Sequence, residues 1–519
     1  MNFTTKLKPA VLSGLVAALA LACTSQSNDV IAKDSASEKP NIVIFYVDDL
    51  GYGDLSSYGA VGVKTPNVDK LAANGIKFTD AHSSAATCTP SRYSLLTGEY
   101  AFRKKAHVLK GDAALLIGTE QPTMASMLKK AGYTSAVVGK WHLGLGDGKQ
   151  PIDWNGEIKP GPLEIGFDYS FLLPATGDRV PAVYMENHRV INLSKDDPLS
   201  VDYTKKIGDR PTGYENPDLR RQVADDQHNK TIVNGISRIG WMKGGKSAEW
   251  KDEDFYTVFT DKANQFIDQN KNNPFFLFFS FHDIHVPRLP HPRFQGQSDM
   301  GPRGDAIVQM DYITGQVIKQ LEKSGVLDNT IVIFTSDNGP VLNDGYEDQA
   351  VEKLGEHSPA GVYRGGKYSA FEAGTRVPTI LHYPAKVKAG VSDALMSQVD
   401  IYASVASLLD ISLASDEAID SQDQSAAWLN ANANGRQELI EEAFTLSLRD
   451  GQWKYISPTD NNDGWIRGKG IESGMKKVPQ LYNLAEDPSE RRNVAAHYPQ
   501  RVEQMQARIE QIKQRTRRP

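Results

Sequence analysis

Two apolar runs that break into acids constrain this chain more than any other feature. Ile42-Val43-Ile44-Phe45-Tyr46-Val47 is continuous, rich in β-branched and aromatic residues, and runs straight into Asp48-Asp49-Leu50-Gly51. Ile331 to Thr335 repeats the device and ends in Ser336-Asp337-Asn338-Gly339. A run without polar alternation predicts a strand covered on both faces, the condition of a parallel sheet flanked by helices. Carboxylates at the end of such a strand are costly unless they are paired or bind a metal. On adjacent parallel strands, Asp48, Asp49, Asp337 and Asn338 would meet at the C-terminal ends, where open α/β sheets place ligands. Four side chains offering only oxygen describe a hard divalent cation, Ca²⁺ or Mg²⁺, rather than zinc.

Other segments punctuate in the same way. Thr65-Pro66-Asn67 predicts a helix start and Gly75 its end. Phe255, Val258, Phe259, Ala263 and Phe266 follow helical spacing, as do Met310, Ile313, Val317 and Leu321. The short strand Thr134 to Val138 leads into Gly139-Lys140-Trp141-His142, whose extended spacing points Lys140 and His142 the same way. The aromatic strand Phe275 to Phe281 ends in His282-Asp283-Ile284-His285-Val286-Pro287. That His-x-x-His lacks the helix a zinc protease motif requires. From about 150 to 250 the chain is loop-rich and polar and includes Arg179 and His188. Connections that long are usually functional, so this stretch is expected to wall a substrate pocket.

At 519 residues the chain can bury one large core and a smaller one. Residues 411–436 are rich in Asp, Ser, Ala and Asn and read as a boundary loop. Beyond them Phe444–Leu448, Trp453–Ile456 and Leu481–Leu484 predict antiparallel strands before a charged C-terminal helix. The expected class is therefore α/β. It has a large mixed, mostly parallel sheet flanked by helices, spanning 41–425. A smaller α+β subdomain of antiparallel strands and a helix spans 426–519.

The N-terminus reads as a targeting segment. Lys6 and Lys8 precede an apolar run from Val11 to Leu21, too short for a bilayer, and Ala20-Leu21-Ala22 fits a cleavage site. Residues 1–22 are thus expected to be a signal peptide and 23–40 a flexible spacer. Cys23 follows the site, as in a bacterial lipoprotein signal, although Ala20 stands where that pattern usually has Leu. Export is the expectation: to the periplasm, to the outer membrane through a lipid on Cys23, or out of the cell. A net charge of −6 gives no case for a nucleic-acid partner.

The second of the two cysteines, Cys88, lies in Thr87-Cys88-Thr89-Pro90-Ser91-Arg92-Tyr93-Ser94-Leu95-Leu96-Thr97-Gly98. Pro90 suits a first helical turn, so Cys88 faces the free N–H groups and positive end of a helix, a ready anion site, with Arg92 adding a cation. Cys-x-Pro-Ser-Arg followed by Leu-Leu-Thr-Gly resembles the signature of the type I sulfatases, whose cysteine is oxidised after translation to formylglycine. Gly-Lys-Trp-His at 139–142, His285 before Pro287, Lys367 after a glycine pair and the Leu-Tyr-x-Leu ending also match. The resemblance runs from about Asn41 to Ala496.

The resemblance implies an alkaline-phosphatase-like fold and sulfate-ester hydrolysis with S–O cleavage by the hydrate of formylglycine 88. It implies one divalent cation, Ca²⁺ before Mg²⁺, held by Asp48, Asp49, Cys88 (as formylglycine), Asp337 and Asn338. Arg92, Lys140, Lys367 and His142 would hold oxygens of the nucleophile and sulfate. Asp337 would accept the hydroxyl proton, and His285 would protonate the leaving alkoxide. Lys140, His285, Lys367, Arg179 and His188 are the expected substrate contacts. The expected partners are a sulfated polysaccharide or oligosaccharide, with algal glycans among the sources, and a formylglycine-generating maturation enzyme.

Overall fold

The computed structural model describes residues 39–518. The expected signal peptide, Cys23 and all but the end of the spacer lie outside them. A ten-stranded sheet forms the core, and its five central strands are parallel: Thr330–Ser336, Asn41–Val47, Phe275–Ser280, Thr134–Lys140 and Tyr169–Leu173. Antiparallel strands extend it at both sides, Thr379–His382 beside Thr330–Ser336 and Met185–Glu186 beside Tyr169–Leu173. Ile42 through Val47 have no exposed surface. Each of those large side chains gains about 1.5–3 kcal/mol from burial, which is why this run is fixed at the centre.

Helix Phe255–Asn270 packs on Gly301–Lys323, which also packs on Pro66–Ala73. Helix Cys88–Thr97 packs against Ile401–Leu408. Register then does the functional work. Val47 lies opposite Ser336, Tyr46 opposite Ser280, and Ser280 opposite Gly139. Four strands therefore end together, and the residues after each end project into one space. Gly139 is needed there: its φ is +112°, and a Cβ would stand 1.8 Å from the Ser280 carbonyl oxygen.

Glu438–Glu442, Leu446–Asp450, Trp453–Ile456 and Gln480–Asn483 form a four-stranded antiparallel sheet. Met505, Ile509 and Ile512 of helix Pro499–Lys513 share its apolar cluster. The stretch read as a boundary loop contains a helix, Ser425–Leu429, whose Trp428 is buried in the main core. The C-terminal sheet is tied to the body by buried charge. Glu372 accepts hydrogen bonds from Arg376 and Arg449, both at 3.0 Å, and from Lys454 at 3.1 Å. Among the described residues, no helix is long and apolar enough to cross a membrane.

Candidate active site

Cys88 opens a ten-residue helix whose every residue is buried, a setting that polar residues accept only when each is satisfied. Thr87 caps that helix in an extended conformation without a side-chain hydrogen bond to it. Burial pushes the Cys88 thiol up to about 11, against the pull of Lys140 and Lys367. As encoded, it is a protonated thiol and a poor nucleophile.

The strand ends converge beside it. Asp48, Cys88 and Asp337 offer ligand atoms within 4.8 Å of one another. Asn338 donates from Nδ2 to Asp49 Oδ1 at 2.8 Å, and the Asp49 amide donates to Asp337 Oδ1 at 3.3 Å. Lys140 Nζ lies 2.5 Å from Asp48 Oδ2, and Lys367 Nζ lies 2.9 Å from Asp49 Oδ2 and 3.0 Å from Asp344 Oδ2. Burial, then the neighbouring Asp337, raises the Asp48 carboxyl well above the ordinary range, and burial raises Asp49 as well. Burial alone would raise Asp337 too, but Arg92, Lys140 and Lys367 outweigh it and hold it below the usual value.

Two oxygens test whether a cation fits. Asp48 Oδ1 and Asn338 Oδ1 are buried and have no hydrogen-bond partner. Orphan acceptors inside a low-dielectric cluster need a positive partner, and an oxygen-only set suits Ca²⁺ or Mg²⁺. The residues therefore fit a divalent ion held by Asp48, Asp49, Asp337 and Asn338.

Arg92 is held mainly by Asp337. It is fully buried and forks onto Asp337 Oδ2 through Nε at 3.0 Å and Nη2 at 2.7 Å, with Nη1 on the Lys140 carbonyl and the Ser280 hydroxyl. Four of its five N–H donors hold Asp337, the Lys140 carbonyl and the Ser280 hydroxyl in place, which leaves one Nη2 N–H for an oxygen of the site. Asp337 is correspondingly better suited to binding charge than to accepting a proton, because a carboxylate held low is a weak base.

The two histidines have assigned tautomers. His142 Nε2 donates to the Leu109 carbonyl at 2.9 Å, which leaves Nδ1 as a buried acceptor without a protein partner. His285 Nδ1 donates to the Val286 carbonyl at 2.7 Å, and its Nε2 lies 3.8 Å from Asp49 Oδ2. Burial, then nearby cations (Lys140 and Arg179 for His142, Lys367 and Lys140 for His285), keeps both rings well below the ordinary histidine range, so both are neutral here.

A cavity of about 260 Å³ opens over Cys88, lined also by Arg179, His285 and Lys367. Arg179 is thus brought in, with Nη1 on the Asp178 carboxylate at 2.7 Å. His188 is not. It lies in the turn of the edge hairpin and meets Glu164 at 2.8 Å, because only part of the long polar stretch faces the cavity. His228, Asp344, Tyr368, Phe444, Trp465 and Lys469 also line it and escaped the sequence reading as site residues. His228 bridges Asp178 at 3.3 Å and Asp225 at 2.6 Å. Tyr368 and Phe444 both flank Trp465, at ring-centroid distances of 4.9 and 5.8 Å.

A buried acid cluster, three cations and two neutral histidines around one helix start define a site for hydrolysing an anionic ester. The chain belongs to the sulfatase family: the family model "Sulfatase" matches residues 40–411. It is 50% identical over 502 residues to an N-acetylgalactosamine-6-O-sulfatase of Bacteroides thetaiotaomicron, covering 95% of this chain and 98% of that one. It is 28% identical to human arylsulfatase A, covering 89% and 84% of the two chains. A solved structure from the metabolism of multiple glycosaminoglycans by Bacteroides thetaiotaomicron superposes with a TM-score of 0.90 at 51% identity, over 92% of this chain and 100% of that one. A sulfatase structure from Pseudoalteromonas sp. gives 0.67 at 27% identity, covering 91% and 90%. The protein is a sulfuric ester hydrolase.

Proposed function

We propose that this enzyme removes the 6-O-sulfate of an N-acetylgalactosamine unit in a glycosaminoglycan-derived saccharide, using formylglycine made from Cys88 and one divalent cation, Ca²⁺ before Mg²⁺. The observation that carries the reading is the Cys88 cavity itself. It joins sulfate-binding cations to an aromatic wall of Tyr368, Phe444 and Trp465, the combination a sulfated sugar ring requires. The relative named as an N-acetylgalactosamine-6-O-sulfatase supports the sugar and moves the substrate from algal glycans to glycosaminoglycans.

As a hydrate, formylglycine would supply one hydroxyl oxygen to bond sulfur as the sugar oxygen leaves, and a second to release sulfate as the aldehyde re-forms. A divalent ion on Asp48, Asp49, Asp337 and Asn338 would supply the positive charge that Asp48 Oδ1 and Asn338 Oδ1 lack. The chain's own residues do the rest. Lys367 has three donors and uses two on Asp49 and Asp344, leaving one N–H for a sulfate oxygen. Lys140 counters the charge of Asp48 at the same centre. His142, neutral and with Nδ1 unpartnered, accepts a hydrogen bond there from a hydroxyl of the nucleophile. Burial, then Lys367 and Lys140, keeps His285 neutral with its proton on Nδ1; bound sulfate offsets the lysines, so that Nε2 takes up a proton from solvent and passes it to the leaving sugar oxygen. Arg92 keeps Asp337 ionised and in place.

The N-terminal pattern supports export, with Cys23 as a candidate lipid site, and the Cys88 signature supports activation by a formylglycine-generating maturation enzyme. Sulfate release from N-acetylgalactosamine 6-sulfate, set beside the 4-sulfate, tests the reading. Release from the 6-sulfate is expected, and release from the 4-sulfate alone rejects the position.

A further inference from the structure

The Cys88 cavity continues past its own rim. A second cavity of about 350 Å³ lies beside it and shares His107, Val108 and Phe444 as lining. Thr87 and Pro90, which flank the Cys88 helix start, line it as well, so it adjoins the reacting position rather than some distant face. Its size falls at the small end of ligand pockets, about 300–1,000 Å³. One cavity holds the ring that carries the sulfate, and the other has room for one more ring.

Charge says which ring. Lys105 lines the second cavity, is exposed, and forms no ion pair among the described residues. It follows the turn Ala101–Lys104 with φ at +51°, a left-handed conformation that directs the chain sharply at this point. His107, also exposed, stands two residues on. Glu442 is the one acid in the lining, and burial pushes its carboxyl up to about 7, so it opposes an anion weakly at mildly acidic pH. A cation without a partner, on the wall of a groove continuous with the reaction site, suits an anionic neighbour on the substrate. In a glycosaminoglycan the unit next to a hexosamine carries a uronate carboxylate.

Resting on the saccharide reading above, we propose that the second cavity binds the adjoining uronate residue of the substrate, and that Lys105 takes its carboxylate. Phe444, common to both cavities, is the ridge between the two rings. The enzyme then acts best before the hexosamine is freed. It precedes the glycosidic cleavage that would release the monosaccharide.

The test is calorimetric binding to the full chain carrying Cys88→Ser, which separates recognition from turnover. Three probes are compared: N-acetylgalactosamine 6-sulfate, the uronate-containing disaccharide with the same sulfate, and that disaccharide with its carboxyl reduced to the alcohol. The uronate disaccharide is expected to bind about tenfold more tightly than either other probe, the size of one charge-assisted hydrogen bond. Lys105→Gln should bring the two disaccharides to equal affinity, and Lys105→Arg should keep them apart. Equal binding of monosaccharide and uronate disaccharide overturns the inference and leaves the 6-sulfate reading intact. So does an unchanged disaccharide ratio in Lys105→Gln. Binding of an aryl sulfate with none of the three sugars rejects the saccharide reading and this inference together.

Discussion

Replacing Lys140 by methionine should destabilise the metal-free protein, and calcium should restore much of the loss. Lys140 Nζ is 2.5 Å from Asp48 Oδ2 and 4.0 Å from Asp337 Oδ2, and all three side chains are fully buried. Methionine fills the stem volume but leaves Asp48 with both oxygens unpartnered, since Oδ1 has no partner already. Breaking one side of a buried ion pair costs about 3–5 kcal/mol. Unfolding some 480 described residues carries an entropy of roughly 1 kcal/mol/K, so that cost lowers Tm by about 3–5 °C. A calcium ion on the same carboxylates supplies the missing charge, so calcium should raise the Tm of the variant more than that of the wild type. Protonation gives the same relief. The Asp48 carboxyl is raised in the folded state, so the loss should be largest at alkaline pH and shrink as the pH falls through that raised value. Scanning calorimetry in EDTA and in calcium, across a pH series, measures all of this. Equal Tm values for variant and wild type in EDTA throughout that series would refute the pairing. Equal calcium increments in the two proteins would remove the cation from these carboxylates.

Three further outcomes follow from individual contacts. His285→Ala should slow release from sugar sulfates by about 10²–10⁴-fold while sparing activated aryl sulfates, whose leaving groups need no acid; equal losses on both would reject the role. Trp465→Ala should raise KM for a sulfated sugar several-fold with little change in kcat, and an unchanged KM would detach the aromatic wall from the sugar. Burial pushes the Glu490 carboxyl up to about 8, and its Oε1 is buried without a partner. The folded state therefore holds a proton there that the unfolded chain loses near pH 4.5, so stability falls as pH rises from about 4.5 to 8. Glu490→Gln should flatten that decline and melt above the wild type at pH 8; parallel melting curves would contradict it.

Much of the centre was legible because it rests on local rules. The runs at 42–47 and 331–335 have no polar alternation and so read as buried strands; that their acids meet rested on the two strands being parallel neighbours, which they are. The helix start at Cys88 announced itself through Pro90. What escaped was set by long-range packing. Asp344, His228 and Lys469 sit on loops without periodicity, and only the folded chain brings them within salt-bridge distance of one another's partners. Phe444 and Trp465 come from the C-terminal region, where nothing in the spacing points back to Cys88. Arg92 shows the opposite limit: its identity was readable, but its commitment to Asp337 depends on a strand 245 residues away.

On the proposed mechanism, the residue encoded as Cys88 works only after oxidation. The most direct test of this is a mass spectrum of the Cys88 peptide from protein made with and without a formylglycine-generating enzyme, with sulfate release from N-acetylgalactosamine 6-sulfate measured on the same preparations. The expected result is an aldehyde at position 88 in the active preparation, an intact thiol in the folded inactive one, and no multiple turnover for Cys88→Ser. Full activity from protein whose Cys88 remains a thiol would contradict it.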